Sequence, residues 1–121
     1  MRFVAYRKSE HKTAVIELFR EIYPDWTIYE CARMAYDENQ PAHHLTLLAI
    51  SGENVAGQLN VFRVAPAAEL GNIGFHVHPH WRGMGVAASM LYRVWEAITD
   101  AFADGLVIQT EKSNKASINL A

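Results

Sequence analysis

The sequence is poor in the features that define several protein classes. Its single cysteine, Cys31, has no partner for an internal disulfide, which excludes a fold held together by disulfide bonds. No apolar run approaches the roughly 20 residues of a membrane-spanning helix, so we expect no membrane partner. The net charge is -2, from 11 basic and 13 acidic residues, and this balance does not favour a nucleic-acid partner.

The start of the chain also lacks a leader in which charged residues precede an apolar segment. Together with the single cysteine, this absence predicts a cytoplasmic protein. Half of the 121 residues are apolar, which is enough for one hydrophobic core, and no repeat or low-complexity linker divides them. We therefore expect a single domain over residues 1–121.

Short periodic segments predict the secondary structure of the N-terminal half. Residues 2–6 are short and apolar enough for a strand, and Ser9 is expected to cap a helix with one apolar stripe. Thr27 and Glu30 form a Thr-x-x-Glu capping box, in which each side chain satisfies a free amide at a helix start. This box predicts a second helix from residue 28 to about residue 36.

The remaining segments predict four strands, a long amphipathic helix and the start of one more helix. The strands are expected at 45–50, 55–62, 72–77 and 105–110, and the long helix at 85–102. In the second of these strands, apolar residues alternate with Gln58 and Asn60, which predicts a sheet with one buried side. A last helix would begin at Ser113 or Asn114 and is unfinished at Ala121. The predicted order is therefore β-α-α-β-β-β-α-β-α.

The stretch HVHPHWRGMGVAASML, residues 76–91, joins a predicted strand to the long helix through two glycines. Such a turn points unpaired backbone amides at one spot, in front of the positive end of the helix dipole, and this arrangement binds phosphate. The donors would be the amides of Gly83, Met84, Gly85, Val86 and Ala87, with a charged contact from Arg82. The alternative is an ordinary strand-to-helix turn without a ligand. Neither a Walker A loop nor a dinucleotide fingerprint is present.

Two motifs in this sequence resemble signatures of one family. The acyl-CoA-binding motif of the GCN5-related N-acetyltransferases, the GNAT superfamily, resembles the pattern V-x-P-x-x-R-G-x-G-x-A formed here by Val77, Pro79, Arg82, Gly83, Gly85 and Ala87. The Asn-x-x-(Ala/Ser)-x-x-Leu signature of that family resembles the pattern formed by Asn114, Ser117 and Leu120. The order of the predicted elements is also similar over essentially the whole chain.

The resemblance implies an α/β fold with a mixed, mostly antiparallel central sheet and helices on both faces. It also implies that the chain lacks the end of the last helix and the final two strands of the family. The implied activity is that of an N-acetyltransferase, in which an amine attacks acetyl-CoA directly. The acceptor would be a small-molecule amine or a protein amine, and a homodimer is compatible with the family. The alternatives are a noncatalytic acyl-CoA-binding or interaction domain, or a fragment of a longer acetyltransferase.

The resemblance further implies roles for individual residues. The amides of Gly83 to Ala87 would hold the diphosphate of coenzyme A. The backbone of Phe75, His76 and Val77 would lie beside its pantetheine arm, and the amide of Phe75 would polarise the thioester carbonyl. Asn114 would help to hold the pantetheine or its thiol end.

Direct attack by an amine also requires a base, and the strand before the glycine turn carries or adjoins three candidates. They are His76, His78 and Glu69. The alternative is that the histidines are solvated, or lie at the edge of the core, with no chemical task. We expect no metal at HVHPH, because Pro79 breaks the alternation before His80 and no carboxylate cluster completes a ligand set. Ala121 occupies the family's usual position for a tyrosine acid, so no acid is assigned.

Segment 23–30 lies where members of the family shape their acceptor pocket. Trp26 and Tyr29, with the carboxylates near them, could receive a charged amine through their ring faces. The alternative is that these aromatic residues belong to the core, while Thr27 and Glu30 serve only as a helix cap.

Overall fold

The protein is organised around one sheet in a computed structural model that describes residues 1–65 and 69–109. The elements are, in chain order, β1 (Arg2–Ala5), α1 (Lys8–Ile22), α2 (Ile28–Ala32), β2 (His43–Ser51), β3 (Asn54–Arg63), β4 (Leu70–Val77), a 3-10 turn (Pro79–Trp81), α3 (Val86–Ala101) and β5 (Gly105–Gln109). This is the predicted order, with the short 3-10 turn added. The predicted last helix, which contains Asn114, lies outside the described residues.

The five strands lie in the sheet in the same order as in the chain. Strands β1 to β4 pair with one another in antiparallel orientation, whereas β5 runs parallel to β4. A parallel neighbour needs a crossover connection, and α3 supplies it. The pairing of β4 with β5 runs from Leu70, opposite Gly105, to Gly74, opposite Gln109. The prediction of a mixed, mostly antiparallel sheet is confirmed.

Helices cover both faces of this sheet, as predicted. Helix α3 packs on one face, called here the α3 face, through an apolar cluster that includes Leu59, Ile73, Phe75, Met90 and Ile98. Helices α1 and α2 pack on the opposite face, called here the α1/α2 face, through Val15, Leu18, Phe19, Cys31 and Leu48. Because side chains alternate along a strand, the odd-numbered residues of β4 point to the α3 face and the even-numbered residues to the α1/α2 face.

The prediction that β3 has only one buried side is wrong. Gln58 is fully buried and Asn60 is 4% exposed, although both were expected to face solvent. They are buried because α1 and α2 cover the second face of the sheet. The Gln58 side-chain amide donates to the carbonyl of Met34 at 3.2 Å, and the hydroxyl of Thr46 donates to Oδ1 of Asn60 at 2.7 Å. These hydrogen bonds offset part of the desolvation of the buried polar groups.

The start of α1 is capped from a distance rather than by Ser9. The N-cap residue is Arg7, whose side chain makes no capping hydrogen bond, and Ser9 lies inside the helix. The carboxylate of Glu38 accepts hydrogen bonds from the amide of Lys8 at 3.1 and 3.3 Å. The predicted cap is therefore wrong, because a carboxylate from another part of the chain takes its place.

The predicted capping box at the start of α2 is confirmed. The amide of Glu30 donates to the Thr27 hydroxyl at 3.2 Å, and the amide of Thr27 donates to the Glu30 carboxylate at 3.1 Å. The helix nevertheless ends at Ala32, four residues earlier than predicted. The amides of Met34 and Ala35 bond to carbonyls only three residues back, and these tighter turns end the helix.

Candidate active site

Two glycines give the turn between β4 and α3 its shape. Gly83 and Gly85 have φ angles of 76° and 77°, in the left-handed region that residues with a side chain seldom adopt. A Cβ at either position would meet no described atom within 4 Å. These positions therefore favour glycine because of their backbone conformation and not because of close packing. Gly85 is also the N-cap of α3.

The turn presents a row of free backbone amides. The first amide to bond back into the helix is that of Ser89, which donates to the Gly85 carbonyl at 2.9 Å. Within residues 1–65 and 69–109, no carbonyl accepts a hydrogen bond from the amides of Gly83 to Ala88. Gly83, Met84 and Gly85 are exposed, so these donors lie at the surface, at the positive end of the helix dipole. The group of donors fits a diphosphate.

Arg82 borders the same turn with a positive charge. The residue is exposed, and its Nε donates to the carbonyl of Val77 at 3.2 Å. This bond ties the guanidinium to the end of β4. The side chains of Val86 and Ala87 are buried under the helix, so these two residues present only their amides to the turn.

The peptide groups of Phe75 and Val77 point toward the β5 side of β4. The amide of His78 donates to the carbonyl of Ala56 in β3 at 2.8 Å. Because peptide groups alternate along a strand, the groups of Phe75 and Val77 are directed away from β3. Their side chains are buried on the α3 face. The described pairing with β5 ends at Gly74, one residue before Phe75.

His76 lies on the α1/α2 face within a group of aromatic rings. Its ring centroid is 4.7 Å from that of Phe19 and 6.4 Å from that of Tyr23. The rings of Tyr23 and Trp26 stack at 3.9 Å with an angle of 8° between their planes. Phe19 and Tyr23 were missed as site residues, although Tyr23 follows Phe19 by four residues at the end of α1 and its amide donates to the Phe19 carbonyl at 2.9 Å.

The other two base candidates are not on the same part of the strand. His78 follows β4 and its Nδ1 accepts a hydrogen bond from the amide of His80 at 3.0 Å, so it serves as the cap of the 3-10 turn. Glu69 immediately precedes β4, and its carbonyl accepts from the amide of Asp104 at 2.9 Å. At about 3.3 Å per residue, the length of β4 separates Glu69 from the glycine turn. The structure does not bring Glu69 to the site.

Of the two predicted acceptor contacts, only Trp26 faces the interior. Its ring is half-buried against Tyr23 and lines a groove of about 890 Å³ along α1. Tyr29 is 81% exposed, and its ring makes no aromatic contact with the described residues. Glu30 is exposed, and one oxygen of its carboxylate accepts from the amide of Thr27 in the capping box.

Comparison with known proteins identifies the family. The acetyltransferase (GNAT) family model matches residues 12–121. The chain belongs to the GNAT acetyltransferase family. No curated protein sequence matches it significantly.

Three solved structures share the fold of this chain at 16% sequence identity. A GNAT-family acetyltransferase from Staphylococcus aureus Mu50 has a TM-score of 0.76 at 16% identity, over 98% of this chain and 79% of that one. The aminoglycoside N-acetyltransferase AAC(6')-Iy in complex with CoA has a TM-score of 0.72 at 16% identity, over 98% and 82%. A ribosomal-protein-alanine N-acetyltransferase from Brucella melitensis biovar Abortus 2308 has a TM-score of 0.71 at 16% identity, over 100% and 88%.

Membership of the GNAT family confirms the predicted family, fold and enzyme class. The chain is an N-acetyltransferase that uses acetyl-CoA as its acyl donor. Among residues 1–65 and 69–109, no group of three or more His, Cys, Asp or Glu side chains could hold a metal ion. In the same part of the chain, no helix is long and apolar enough to cross a membrane.

Proposed function

We propose that this enzyme holds the diphosphate of acetyl-CoA in the glycine turn before α3. The observation that carries the proposal is the row of amides from Gly83 to Ala88, which have no carbonyl partner among the described residues. Diphosphate oxygens would accept hydrogen bonds from these amides and gain from the helix dipole. Arg82, tied to Val77 at 3.2 Å, adds a positive charge beside them.

The peptide groups of Phe75 and Val77 hold the pantetheine arm in this proposal. Their direction toward the β5 side supports this role, because an extended arm could pair there as an added strand would. The Val77 carbonyl already accepts from Arg82, which leaves the two amides and the Phe75 carbonyl as the groups to consider. The proposed role of Asn114 in holding the same arm rests on the sequence resemblance alone.

Acetyl-CoA supplies an activated acetyl thioester to this site. The amide of Phe75 donates to the thioester carbonyl oxygen and stabilises the negative charge that develops there when an amine attacks. His76 is the proposed base that takes the proton from the attacking amine. Its support is its place next to Phe75 in β4, on the face opposite α3. His78 and Glu69 are weaker candidates, because one caps the 3-10 turn and the other lies at the far end of β4.

The acceptor is proposed to be an amine, carried by a small molecule or by a protein. Structural neighbours include enzymes of both kinds, an aminoglycoside N-acetyltransferase and a ribosomal-protein-alanine N-acetyltransferase. Trp26 is the proposed acceptor contact, because its half-buried ring lines an open groove. A cytoplasmic location, which the single cysteine Cys31 supports, and a homodimer, which the family resemblance suggests, complete the proposal.

The test begins with the stability of the folded protein in the presence of acetyl-CoA, CoA or ATP. A ligand at one hundred times its Kd stabilises the folded state by about 2.7 kcal/mol, so acetyl-CoA and CoA should raise the unfolding midpoint. Release of the CoA thiol with a panel of amines then measures transfer. Binding without thiol release for any amine would favour a noncatalytic acyl-CoA-binding domain.

The decisive variant is Gly85→Asp, with Gly52→Asp as its matched control. Both glycines are exposed and have positive φ angles of 77° and 62°, so both variants carry a similar backbone strain. Only Gly85→Asp adds a negative charge to the proposed diphosphate site, and it should abolish the stabilisation by acetyl-CoA. Equal stabilisation of the two variants by acetyl-CoA would contradict the proposed site.

A further inference from the structure

Gly74 lies inside β4, where nothing in the described structure requires a glycine. Its φ is not positive, so a residue with a side chain could adopt the same backbone conformation. A Cβ at this position would meet no described atom within 4 Å. A glycine weakens a strand interior, and it often marks a place where a ligand comes close to the backbone.

Gly57 and Gly71, the glycines inside β3 and β4, have a packing reason that Gly74 lacks, whereas Gly105 at the start of β5 has a positive φ of 102°. A Cβ on Gly57 would lie 2.9 Å from Cε of Met90, and one on Gly71 would lie 2.8 Å from atoms of Leu106 and Phe102. These contacts fill the α3 face. The space beside Gly74 is on the other side of the sheet and is left open by the described residues.

The register of the sheet determines which face Gly74 points to. The pairing of β3 with β4 runs without interruption from Gly57 and Val77 to Arg63 and Gly71, so the alternation of side chains holds throughout. Gly74 therefore shares the α1/α2 face with His76. Its partner across the strand is Asn60, an uncharged and buried side chain.

We propose that the missing side chain of Gly74 leaves the passage through which the acceptor amine reaches the acetyl thioester. The inference rests on the proposed function, which puts the thioester carbonyl at the amide of the next residue, Phe75. The α3 face is closed by the packed side chains of Phe75, Val77 and Met90, so the amine must approach from the α1/α2 face. Gly74 is thus a specificity-determining residue for the acceptor and not for acetyl-CoA.

The test compares Gly74→Ala and Gly74→Val with the control Gly71→Ala. Three quantities are measured for each variant: the unfolding midpoint, the affinity for acetyl-CoA, and kcat/KM for the best amine of the panel. In Gly74→Val, kcat/KM for the amine should fall by about tenfold or more, because added methyl groups block the passage. The unfolding midpoint should stay the same or rise, because a side chain in place of a glycine favours a strand interior, and the acetyl-CoA affinity should stay close to that of the wild type. Gly74→Ala should show a smaller loss of the same kind.

Gly71→Ala should give the opposite pattern, with a lower unfolding midpoint and no selective loss for the amine. An unchanged kcat/KM in Gly74→Val would overturn the proposal that Gly74 leaves a passage for the amine. A lower unfolding midpoint and a weaker acetyl-CoA affinity in Gly74→Val would also overturn it, because the protein's own chain would then fill the space. If the wild type acetylates no amine, the proposed function is overturned together with the passage. If the wild type is active and Gly74→Val keeps its full kcat/KM, only the proposed passage is overturned.

Discussion

The two faces of the sheet differ in the chemistry of their buried side chains. The α3 face is a continuous apolar cluster, to which β4 contributes Ile73, Phe75 and Val77. The α1/α2 face buries polar groups beside apolar ones, among them Thr46, Gln58 and Asn60. The apolar face packs β4 against α3, whereas the α1/α2 face carries His76 and Trp26, which are the proposed base and the proposed acceptor contact.

The comparison also separates two uses of glycine. On the α3 face, Gly57 and Gly71 allow α3 and the segment after it to pack closely on the sheet. At the turn, Gly83 and Gly85 adopt backbone conformations that leave amides free. Gly74, on the α1/α2 face, serves neither purpose among the described residues. We therefore connect this glycine with a ligand that approaches the backbone.

The largest loss of stability is expected from a cavity on the α3 face. Ile73 is fully buried there, so Ile73→Ala should lower the free energy of unfolding by about 2–5 kcal/mol. Urea unfolding followed by circular dichroism measures the change. The control Ile73→Val, which removes one methylene group, should lose only about 0.5–1.5 kcal/mol. Equal losses in the two variants would mean that this face is not tightly packed.

A smaller loss is expected when a polar pair on the α1/α2 face is broken. Thr46→Val keeps the shape of the side chain but removes the donor to Oδ1 of Asn60, which lies 2.7 Å away. A buried acceptor left without a partner should lower the free energy of unfolding by about 1–3 kcal/mol. Thr46→Ser, which keeps the hydroxyl, is the control in the same urea experiment. No difference between the two variants would show that the hydroxyl contributes nothing.

The smallest effect expected is a pH dependence of the free energy of unfolding that arises from His43, beside Thr46 on the α1/α2 face. Burial lowers the pKa of His43 below its usual 6.5, and its ring lies 2.8 Å from the Thr46 hydroxyl. The unfolded chain therefore binds a proton more readily than the folded protein. Stability is fully present above pH 6.5 and should fall as the pH drops through the lowered pKa of the folded state.

Unfolding midpoints measured between pH 7.5 and pH 5 would detect this loss, and His43→Gln should reduce it. Burial also lowers the pKa of His44, with a further contribution from Arg63, so His44→Gln is the matched comparison. An unchanged pH dependence in both variants would assign the loss of stability to other groups.

Features that depend on neighbouring residues were predicted well. The Thr27 and Glu30 capping box, the long helix α3 and the glycine turn all involve contacts within a few residues of one another. The family motif at Val77 to Ala87 is of the same kind, and it predicted the enzyme class that the family comparison confirmed. The assignment of residues 1–121 to a single domain and the role of Asn114 stay predictions.

Features that depend on distant residues were predicted poorly. Ser9 was expected to cap α1, but it lies inside the helix, and the carboxylate of Glu38 accepts from the amide of Lys8. Glu69 and His78 were grouped with His76 because they are near it in sequence, yet the strand and the 3-10 turn carry them to different places. Phe19 and Tyr23 could not be connected with His76 without knowing that α1 lies over β4.

By itself, the sequence determined the periodicity of the elements and the glycine turn, because these follow from local backbone chemistry, and the resemblance of its motifs to one family predicted the acyl donor. Only the tertiary structure decided which face each residue of β4 occupies, which polar groups are buried and which glycine lacks a neighbour. The physical reason is that burial and open space are properties of packed surfaces, formed by segments that are far apart in the chain. Gly74 reads as an ordinary strand residue until both faces of the sheet are in view.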